Sequence, residues 1–276
     1  MRIIKQLFDF YLNSSIHVAL AVCALSCITL FEFNIIYDET IIYFNFFATI
    51  TGYNFVKYFG IAKFHHRSLT NALKVIQVFS FLCFVLLCFY ATKLPLKTLF
   101  YILIFGVITF LYAIPFIPKN LYIDSQQNLR DISGVKVYII AMVWVGVTVF
   151  IPLLNNAVSL TADVYIVAIQ RFLFVVVLML PFEIRDLKFD SLKLATIPQK
   201  IGVRRTKLLG LVLLVLFFFL NYFKDFISVK SIVTYAFVTL ITLLFLTLSH
   251  KKRSYYFSSF WVESIPILWL LIILFC

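Results

Sequence analysis

Three acidic side chains lie close together in an otherwise apolar sequence. They are Glu183, Asp186 and Asp190, in a stretch (residues 181–207) that reads PFEIRDLKFDSLKLATIPQKIGVRRTK. On a helix, their spacing would place all three on one face, within about 60°. Carboxylates this close repel one another unless a cation lies between them, and Mg²⁺ holding a phosphate is a common solution. The spacing predicts such a site, with a solvated loop of ion pairs as the alternative.

The same stretch is rich in bases, which can hold a phosphate directly. These bases are Arg185, Lys188, Lys193, Lys200, Arg204, Arg205 and Lys207. One long apolar run ends just before the stretch and another begins just after it. Acids and bases of this density, bounded by apolar sequence, indicate a polar site at the surface of a membrane.

The composition defines the class of protein. Of 276 residues, 63% are hydrophobic and 13% are charged, which is far too apolar for a soluble domain of this length. The net charge of +12 comes from bases scattered between apolar runs, so it indicates lipid headgroups and membrane topology rather than nucleic acid. The five cysteines lie in apolar runs without metal-ligand spacing, and we interpret them as reduced packing residues.

Nine apolar runs must position this site. They are 16–34, 41–56, 75–92, 98–117, 137–154, 162–182, 208–223, 231–249 and 260–276. Most approach the roughly 20 residues that cross a bilayer. We interpret the first run as a span rather than a signal peptide, because Asp9 interrupts the basic region before it. The expected fold is an all-α membrane bundle of about nine transmembrane helices, forming one domain over 1–276.

The basic residues predict the orientation. With the N-terminus in the cytoplasm, the inner segments carry nineteen Lys and Arg, and the outer segments carry four. This asymmetry is a strong positive-inside bias. We therefore expect a multi-pass protein of a bacterial inner membrane, with the acid cluster cytoplasmic and the C-terminus on the outer side.

Two further inner segments carry polar side chains. The segment after the second run (54–74) reads NFVKYFGIAKFHHRSLTNALK and places Asn54, Tyr58, Ala62 and His65 on one helical face. Its bases are Lys57, Lys63, Arg67 and Lys74. The adjacent histidines 65 and 66 have no partner at zinc-ligand spacing, which argues against a zinc site. After the fourth run, Pro115 and Pro118 end the predicted helix between Tyr112 and Lys119.

Long polar segments after runs two and six, with a Tyr–Pro–Lys turn after run four, resemble the UbiA-type superfamily of intramembrane prenyltransferases. Asp186-Leu-Lys-Phe-Asp190 matches the second family motif, DxxxD, and TIPQKIGVRRTK is similar to the segment that follows it. The resemblance implies a helical bundle around a lipid-accessible cavity. It implies Mg²⁺-dependent transfer of an isoprenyl chain from an isoprenyl diphosphate to a lipophilic, aromatic acceptor in the bilayer.

The resemblance also implies roles for particular residues. It assigns catalysis to Asp186, Asp190, Lys119 and Tyr112. It assigns metal binding to Glu183, Asp186 and Asp190. Substrate binding falls to Asn54, Lys57, Lys63, Arg67 and Lys193. The first family motif, NxxxDxxxD, is incomplete here, because Tyr58 and Ala62 replace its aspartates. Either one Mg²⁺ acts together with the nearby bases, or those bases are only positive-inside anchors.

Arg171 is a charge in the middle of the sixth run. A buried charge is costly in a membrane, so we expect it to face the bundle interior with a partner. It lies about 15 residues from Asp186, roughly 22 Å along a helix, too far to share a phosphate. A structural pairing with Gln170 or with a polar group of a neighbouring helix is the first hypothesis. A place along the prenyl or acceptor tunnel is the second.

Three functions from different classes are compatible with these features. The first is the prenyltransferase. The second is a catalytically inactive relative that binds an isoprenoid diphosphate or a partner enzyme, as the incomplete first motif would allow. The third is a transporter, which the seven glycines and the single intramembrane arginine disfavour, because transporters are commonly built on broken helices and repeated halves.

Overall fold

The computed structural model describes residues 2–64, 71–113, 134–188 and 195–275, with the backbone alone at 2, 59–64, 71–72 and 113. Within these ranges every regular element is helical. The α-helices are α1 (Arg2–Asn13), α2 (Ile16–Glu32), α3 (Glu39–Phe64), α4 (Asn71–Ala91), α5 (Leu96–Ala113), α6 (Lys136–Val145), α7 (Ile151–Asn155), α8 (Ala162–Asp186), α9 (Ile197–Phe219), α10 (Val229–Leu248) and α11 (Ile265–Phe275). The expected all-α fold is confirmed.

Three helical turns of a different type adjoin these α-helices. A π-helical turn, Gly146–Phe150, joins α6 to α7, and a second one, Phe257–Val262, precedes α11. A 3₁₀ turn, Leu220–Phe223, follows α9. Each of the nine apolar runs overlaps a described helical segment.

Six of the described helical segments are long and apolar enough to cross a membrane. They are Leu73–Ala91, Lys136–Asn155, Ala162–Asp186, Ile197–Phe223, Val229–Leu248 and Phe257–Phe275. A seventh span results if α1 and α2, which meet at an angle of 53°, are counted as one bent segment. The protein is therefore a multi-pass membrane protein by helix length and composition, while the count of nine spans stays a prediction.

Helix α3 is long enough but less apolar than these six, and its polar residues explain why. Asn45, Thr49 and Asn54 lower its hydropathy, and all three are buried. Asn45 donates hydrogen bonds to Ser26 and to the backbone oxygen of Val147, 3.0 and 3.1 Å away. Asn54 lies on the opposite side of α3 and bonds Ser14, Ser15 and Ser80, so neighbouring segments satisfy these buried polar residues on both sides of the helix.

The bundle closes between its first and last long helices. In chain order α2 packs on α3, α3 on α4, α8 on α9 and α9 on α10, and α11 packs back against α2. Helix α8 is the most buried of the six apolar segments. It also packs against α6, so the helix that ends at the predicted acid cluster runs through the core of the bundle.

Polar contacts distinguish the two ends of the bundle. One end of the bundle, which we call the Arg185 end, contains the junction of α1 and α2, the C-terminal part of α3 and the segment before α11. These parts lie together because Asn13 accepts hydrogen bonds from Tyr58 and Tyr255. The C-terminus of α8 and the N-terminus of α9 lie at the same end. The opposite end of the bundle, where α2 ends, is called the Glu32 end. There Asp38 accepts hydrogen bonds from Asn155 and Asn156 at 2.6 and 3.0 Å.

Candidate active site

Half of the sequence-predicted site residues have described side chains. Asn54, Lys57, Tyr112, Glu183 and Asp186 belong to this group. Lys63, Arg67, Lys119, Asp190 and Lys193 lie outside the described side chains, as do Ala62, His65 and His66.

The predicted acid cluster begins at the end of α8. Glu183 and Asp186 lie in the last turn of this helix, which ends at Asp186. Asp190 lies outside the described residues, so the expectation of one helical face for all three acids stays a prediction. The C-terminus of α8 follows from its packing. Ile184 is the last buried side chain of this helix, and helices in proteins depend on such packing for stability.

The two described acids already have protein partners. Glu183 is buried, and its Oε2 accepts a hydrogen bond of 3.2 Å from the backbone N–H of Ile197 at the start of α9. Both oxygens of Asp186 accept hydrogen bonds from Arg185, at 2.7 and 2.9 Å. Glu183 thus joins α8 to the N-terminus of α9, where a carboxylate is also favoured by the helix dipole.

The Thr-Ile-Pro-Gln segment has a clear local role. Gln199 accepts a hydrogen bond of 2.9 Å from the backbone N–H of Thr196, in the manner of a capping box. Pro198 lies in the first turn of α9, where its missing N–H costs no hydrogen bond. This segment of the sequence therefore starts α9 beside the end of α8.

Metal binding has no ready-made cluster in the part of the chain that the structure describes. Within the described residues, no group of three or more His, Cys, Asp and Glu side chains is arranged to hold an ion. Asp186 accepts hydrogen bonds from Arg185 and Glu183 accepts one from a backbone N–H, while Asp190 lies outside the described residues, so the metal site stays a prediction.

The charged centre of the Arg185 end is built by three helical segments. Glu263, just after the π-helical turn Phe257–Val262, interacts electrostatically with Lys57 of α3 and Arg185 of α8. Arg185 also donates a hydrogen bond of 3.3 Å to Ser259 in that turn. With Asp186 on the far side of Arg185, acids and bases alternate across this Glu263 centre, and their formal charges cancel.

Lys57 is one of the predicted substrate-binding residues, and the structure places it at this centre. Its Nζ donates a hydrogen bond of 2.8 Å to the hydroxyl of Ser15 at the junction of α1 and α2. Its side chain is exposed although it faces Glu263. An ammonium group has three donors, so Lys57 can bind a ligand anion and Ser15 together.

An aromatic wall lies next to this charged centre. The hydroxyl of Tyr53 accepts a hydrogen bond of 2.8 Å from Nε1 of Trp144 on α6. Tyr53 also interacts electrostatically with Glu263 and with Tyr112 of α5. Tyr112, predicted to be catalytic, is buried on α5, and we refer to Tyr53, Trp144 and Tyr112 together as the aromatic wall.

Asn54, the first residue of the incomplete first motif, is surrounded by partners within the protein. Asn54 is 3% exposed and its amide makes three hydrogen bonds within the protein. It accepts one from Ser15 and donates to the backbone oxygen of Ser14 and to Ser80, at 2.8, 3.0 and 2.7 Å. These bonds occupy a residue that the sequence had assigned to substrate.

Arg171 belongs to a separate polar cluster towards the Glu32 end. It is 1% exposed and donates hydrogen bonds to the backbone oxygen of Leu25 and to Thr29 on α2, at 2.9 and 3.3 Å. The Trp269 ring lies 5.3 Å from its guanidinium carbon. The predicted pairing with a neighbouring helix is confirmed. Gln170 is not its partner, because Gln170 donates to the backbone oxygen of Phe217 instead.

Sequence reasoning missed two members of the site, Glu263 and Tyr53. An acid in the last apolar run was visible in the same way as Arg171, because a charge inside a span is costly. No comparable signal singled out Tyr53 among 15 tyrosines. Its position became apparent only from its contacts with Trp144 and Glu263.

Comparison with known proteins shows the fold. No family model matches the chain, and no curated protein matches it. A solved structure of digeranylgeranylglyceryl phosphate synthase, studied for biosynthesis in membranes, is similar with a TM-score of 0.58 and 16% sequence identity. The match covers 98% of this chain and 96% of that chain, so the two share a fold over almost their whole length.

Proposed function

We propose that this protein transfers an isoprenyl chain from an isoprenyl diphosphate to a lipophilic acceptor within the membrane. The observation that carries the proposal is that Lys57 and Arg185 lie at the same end of the bundle. Lys57 donates a hydrogen bond to Ser15, and Arg185 lies 5.4 Å from the ring centre of Tyr255, whose hydroxyl donates to the nearby Asn13. Bases next to aromatic rings suit a ligand with an anionic head and an unsaturated apolar chain. The shared fold and the Asp186-x-x-x-Asp190 motif support the same substrate class.

The reaction needs the diphosphate to leave with the electron pair of the allylic C–O bond. Lys57 and Arg185 would hold the diphosphate oxygens and stabilise the developing negative charge. The π faces of Tyr53, Tyr112 and Trp144 would stabilise the allylic cation that remains. Lys63, Arg67, Lys119 and Lys193 stay candidate phosphate ligands outside the described side chains.

Magnesium is part of this proposal because Glu183, Asp186 and Asp190 are hard oxygen donors. When bound there, Mg²⁺ would neutralise part of the diphosphate charge. Since Arg185 holds both oxygens of Asp186, such an ion must compete with Arg185 for that carboxylate.

One observation favours the inactive binder as a second candidate. Two positions of the first motif serve the structure, since Asn54 bonds Ser14, Ser15 and Ser80, and the Tyr58 hydroxyl donates to the backbone oxygen of Asn13 at 2.9 Å. A protein of this kind would bind the diphosphate but form no product.

The test uses purified protein in lipid nanodiscs with radiolabelled farnesyl and geranylgeranyl diphosphate. Acceptors would be a panel of phenols, hydroquinones and glycerol ether lipids with a free hydroxyl. We expect donor binding and diphosphate release, with Lys57→Ala and Arg185→Ala each weakening binding at least tenfold. Lys230→Ala, an exposed lysine outside the Arg185 end, is the matched control. Donor binding without transfer to any acceptor would favour the inactive binder, and the absence of donor binding would refute both candidates.

A further inference from the structure

A groove runs between α9 and α10 on the surface of the bundle. It has a volume of about 520 Å³, and its lining includes Arg204, Arg205, Lys207, Leu208, Leu211 and Leu243. The bases lie at one end of the groove, and the leucines continue along it. The proposed function uses none of these residues, so the groove needs an explanation of its own.

The sequence of α9 places bases and leucines on one helical face. Gly202 has a φ of 81°, which interrupts the regular helix, and the helical segment after it carries Arg204, Lys207, Leu208 and Leu211. Their i, i+3, i+4, i+7 spacing puts these four side chains on the same side. Leu208 is 60% exposed, so this face of α9 points away from the bundle. The face therefore begins with charges and continues as apolar surface.

Helix α10 supplies the other wall of the groove. The ammonium group of Lys207 donates a hydrogen bond of 2.7 Å to the backbone oxygen of Thr247, which also lines the groove. This bond holds Lys207 at the charged end. Since an ammonium group has three donors, Lys207 can bind an anion at the same time. Leu243, one turn before Thr247, lines the apolar part.

The positive charge of the groove is not balanced by acids of its own helices. Neither α9 nor α10 contains an Asp or Glu. The salt bridges between described residues join Arg185 to Asp186 and Lys224 to Glu32, so no described acid pairs with Arg204 or Arg205. Both arginine side chains are exposed and available to a ligand.

We propose that this groove binds an anionic phospholipid of the bilayer. The lipid phosphate binds Arg204, Arg205 and Lys207, because guanidinium and ammonium groups make strong charge-assisted hydrogen bonds to phosphate. An acyl chain lies along the leucines of the groove. A free phosphate would use the bases and leave the leucines uncovered, so the combination of charge and apolar surface favours a lipid. The groove lies at the end of the bundle predicted to be cytoplasmic, where anionic headgroups attract bases near the membrane surface.

A second groove provides a comparison within the same molecule. It has a volume of about 410 Å³ and is lined by Phe10, Lys74, Val75, Val78, Phe79 and Leu82. With Lys74 as its single base, it suits a lipid chain without selecting the charge of the headgroup. Preference for an anionic lipid should therefore depend on the bases of α9.

The experiment titrates delipidated protein in detergent with dioleoylphosphatidylglycerol or dioleoylphosphatidylcholine and counts the bound lipids by native mass spectrometry. We expect the wild type to bind phosphatidylglycerol more tightly than phosphatidylcholine. Arg204→Gln combined with Arg205→Gln should weaken phosphatidylglycerol binding at least about tenfold, because two bases no longer attract the phosphate. Lys97→Gln combined with Lys230→Gln removes the same charge from exposed positions outside the groove and is the matched control.

Leu208→Gln tests the apolar part of the groove. We expect it to weaken phosphatidylglycerol binding, because the acyl chain loses an apolar contact. Glycerophosphoglycerol, the same headgroup without chains, should not displace the lipid at equal concentration.

Four results would overturn the lipid site. Equal phosphatidylglycerol binding by the wild type and the double arginine variant would show that these bases do not bind the phosphate. Equal affinity of the wild type for the two lipids would show that the groove does not select charge. Displacement of the lipid by inorganic phosphate at equal concentration would indicate a site for a free anion. If the double arginine variant loses geranylgeranyl diphosphate binding as Lys57→Ala does, the groove belongs to the donor. Lipid binding is measured without donor or acceptor, so the outcome is separate from that of the proposed function.

Discussion

The hydroxyl of Ser15 donates a hydrogen bond to the side-chain oxygen of Asn54, 2.8 Å away and 39 residues later in the sequence. Ser15 has a left-handed backbone conformation at the junction of α1 and α2, with φ of 64°. The amide nitrogen of Asn54 donates to the backbone oxygen of Ser14 in the same junction. Asn54 therefore holds the 53° bend between the first two helices.

Asn54→Ala should lower the stability of the folded protein. The substitution removes the acceptor of the Ser15 hydroxyl, which keeps only its bond from Lys57, and the donor to the backbone oxygen of Ser14, at a cost of about 1–3 kcal/mol. Thermal unfolding in detergent would show a lower midpoint, and Gln77→Ala, at an exposed amide on α4, should change it little. An unchanged midpoint with weaker donor binding would instead return Asn54 to the substrate site.

Arg185→Gln should make Asp186 available to a metal. Arg185 now bonds both oxygens of Asp186, so its loss should strengthen Mg²⁺ binding and weaken donor binding when the metal is removed by a chelator. Titration calorimetry with Mg²⁺ alone measures the first effect, and Arg204→Gln, at an exposed arginine, is the control. Equal Mg²⁺ affinity in wild type and Arg185→Gln would exclude Asp186 as a metal ligand.

Arg171→Met should destabilise the bundle, because Arg171 interacts electrostatically with Glu32 as well as bonding α2. Glu32 also accepts a hydrogen bond from Tyr235 and pairs with Lys224 at 3.6 Å. Because Glu32 keeps Lys224 as a partner, we expect the loss to come mainly from the hydrogen bonds to Leu25 and Thr29, at a cost of about 1–3 kcal/mol.

A double-mutant cycle separates this charge effect from lost packing. Adding Glu32→Gln to Arg171→Met should cost less than the sum of the two single substitutions, as measured by chemical unfolding. Strictly additive losses would show that Arg171 acts through its bonds to Leu25 and Thr29 alone.

Gly210→Val should disturb the contact between α8, α9 and α10. A Cβ at Gly210 would collide with the side chains of Leu246 and Leu180, and overpacking of this kind costs about 1–3 kcal/mol. Gly106→Val on α5 is the matched control, because nothing lies within 4 Å of the added carbon there. Thermal unfolding should show a clearly lower midpoint for Gly210→Val alone. Equal midpoints for the two variants would contradict the close packing of these helices.

Much of the fold could be predicted because long apolar runs determine helices directly. A polar partner for Arg171 on a neighbouring helix could also be predicted, since a charge inside a membrane protein requires a partner. Helix α3 was harder to recognise as a membrane span, because its buried residues Asn45 and Asn54 lower the mean hydropathy of the helix.

The site could be predicted only in part. Lys57 and Tyr112 were named from a family pattern, but the hydrogen bond of Lys57 to Ser15 and the burial of Tyr112 became known only from the structure. Glu263 itself lies more than 70 residues from the acid motif, and its approach to Arg185 depends on how α11 packs against its neighbours. The hydrogen bonds between Arg185 and Asp186 depend on side-chain rotamers, which residue spacing does not determine.

The π-helical turn Phe257–Val262 bears on how such a site can evolve. A π-helical turn accommodates one residue more than an α-helical turn, as the hydrogen bond from Glu263 N–H to the Ser258 oxygen, five residues back, shows. Deleting one residue there would rotate the preceding turn by about 100° relative to Glu263. The contact of Ser259 with Arg185 and the direction of the acid could then no longer both be kept. A single-residue deletion in this turn would therefore redirect the acid without any substitution at position 263.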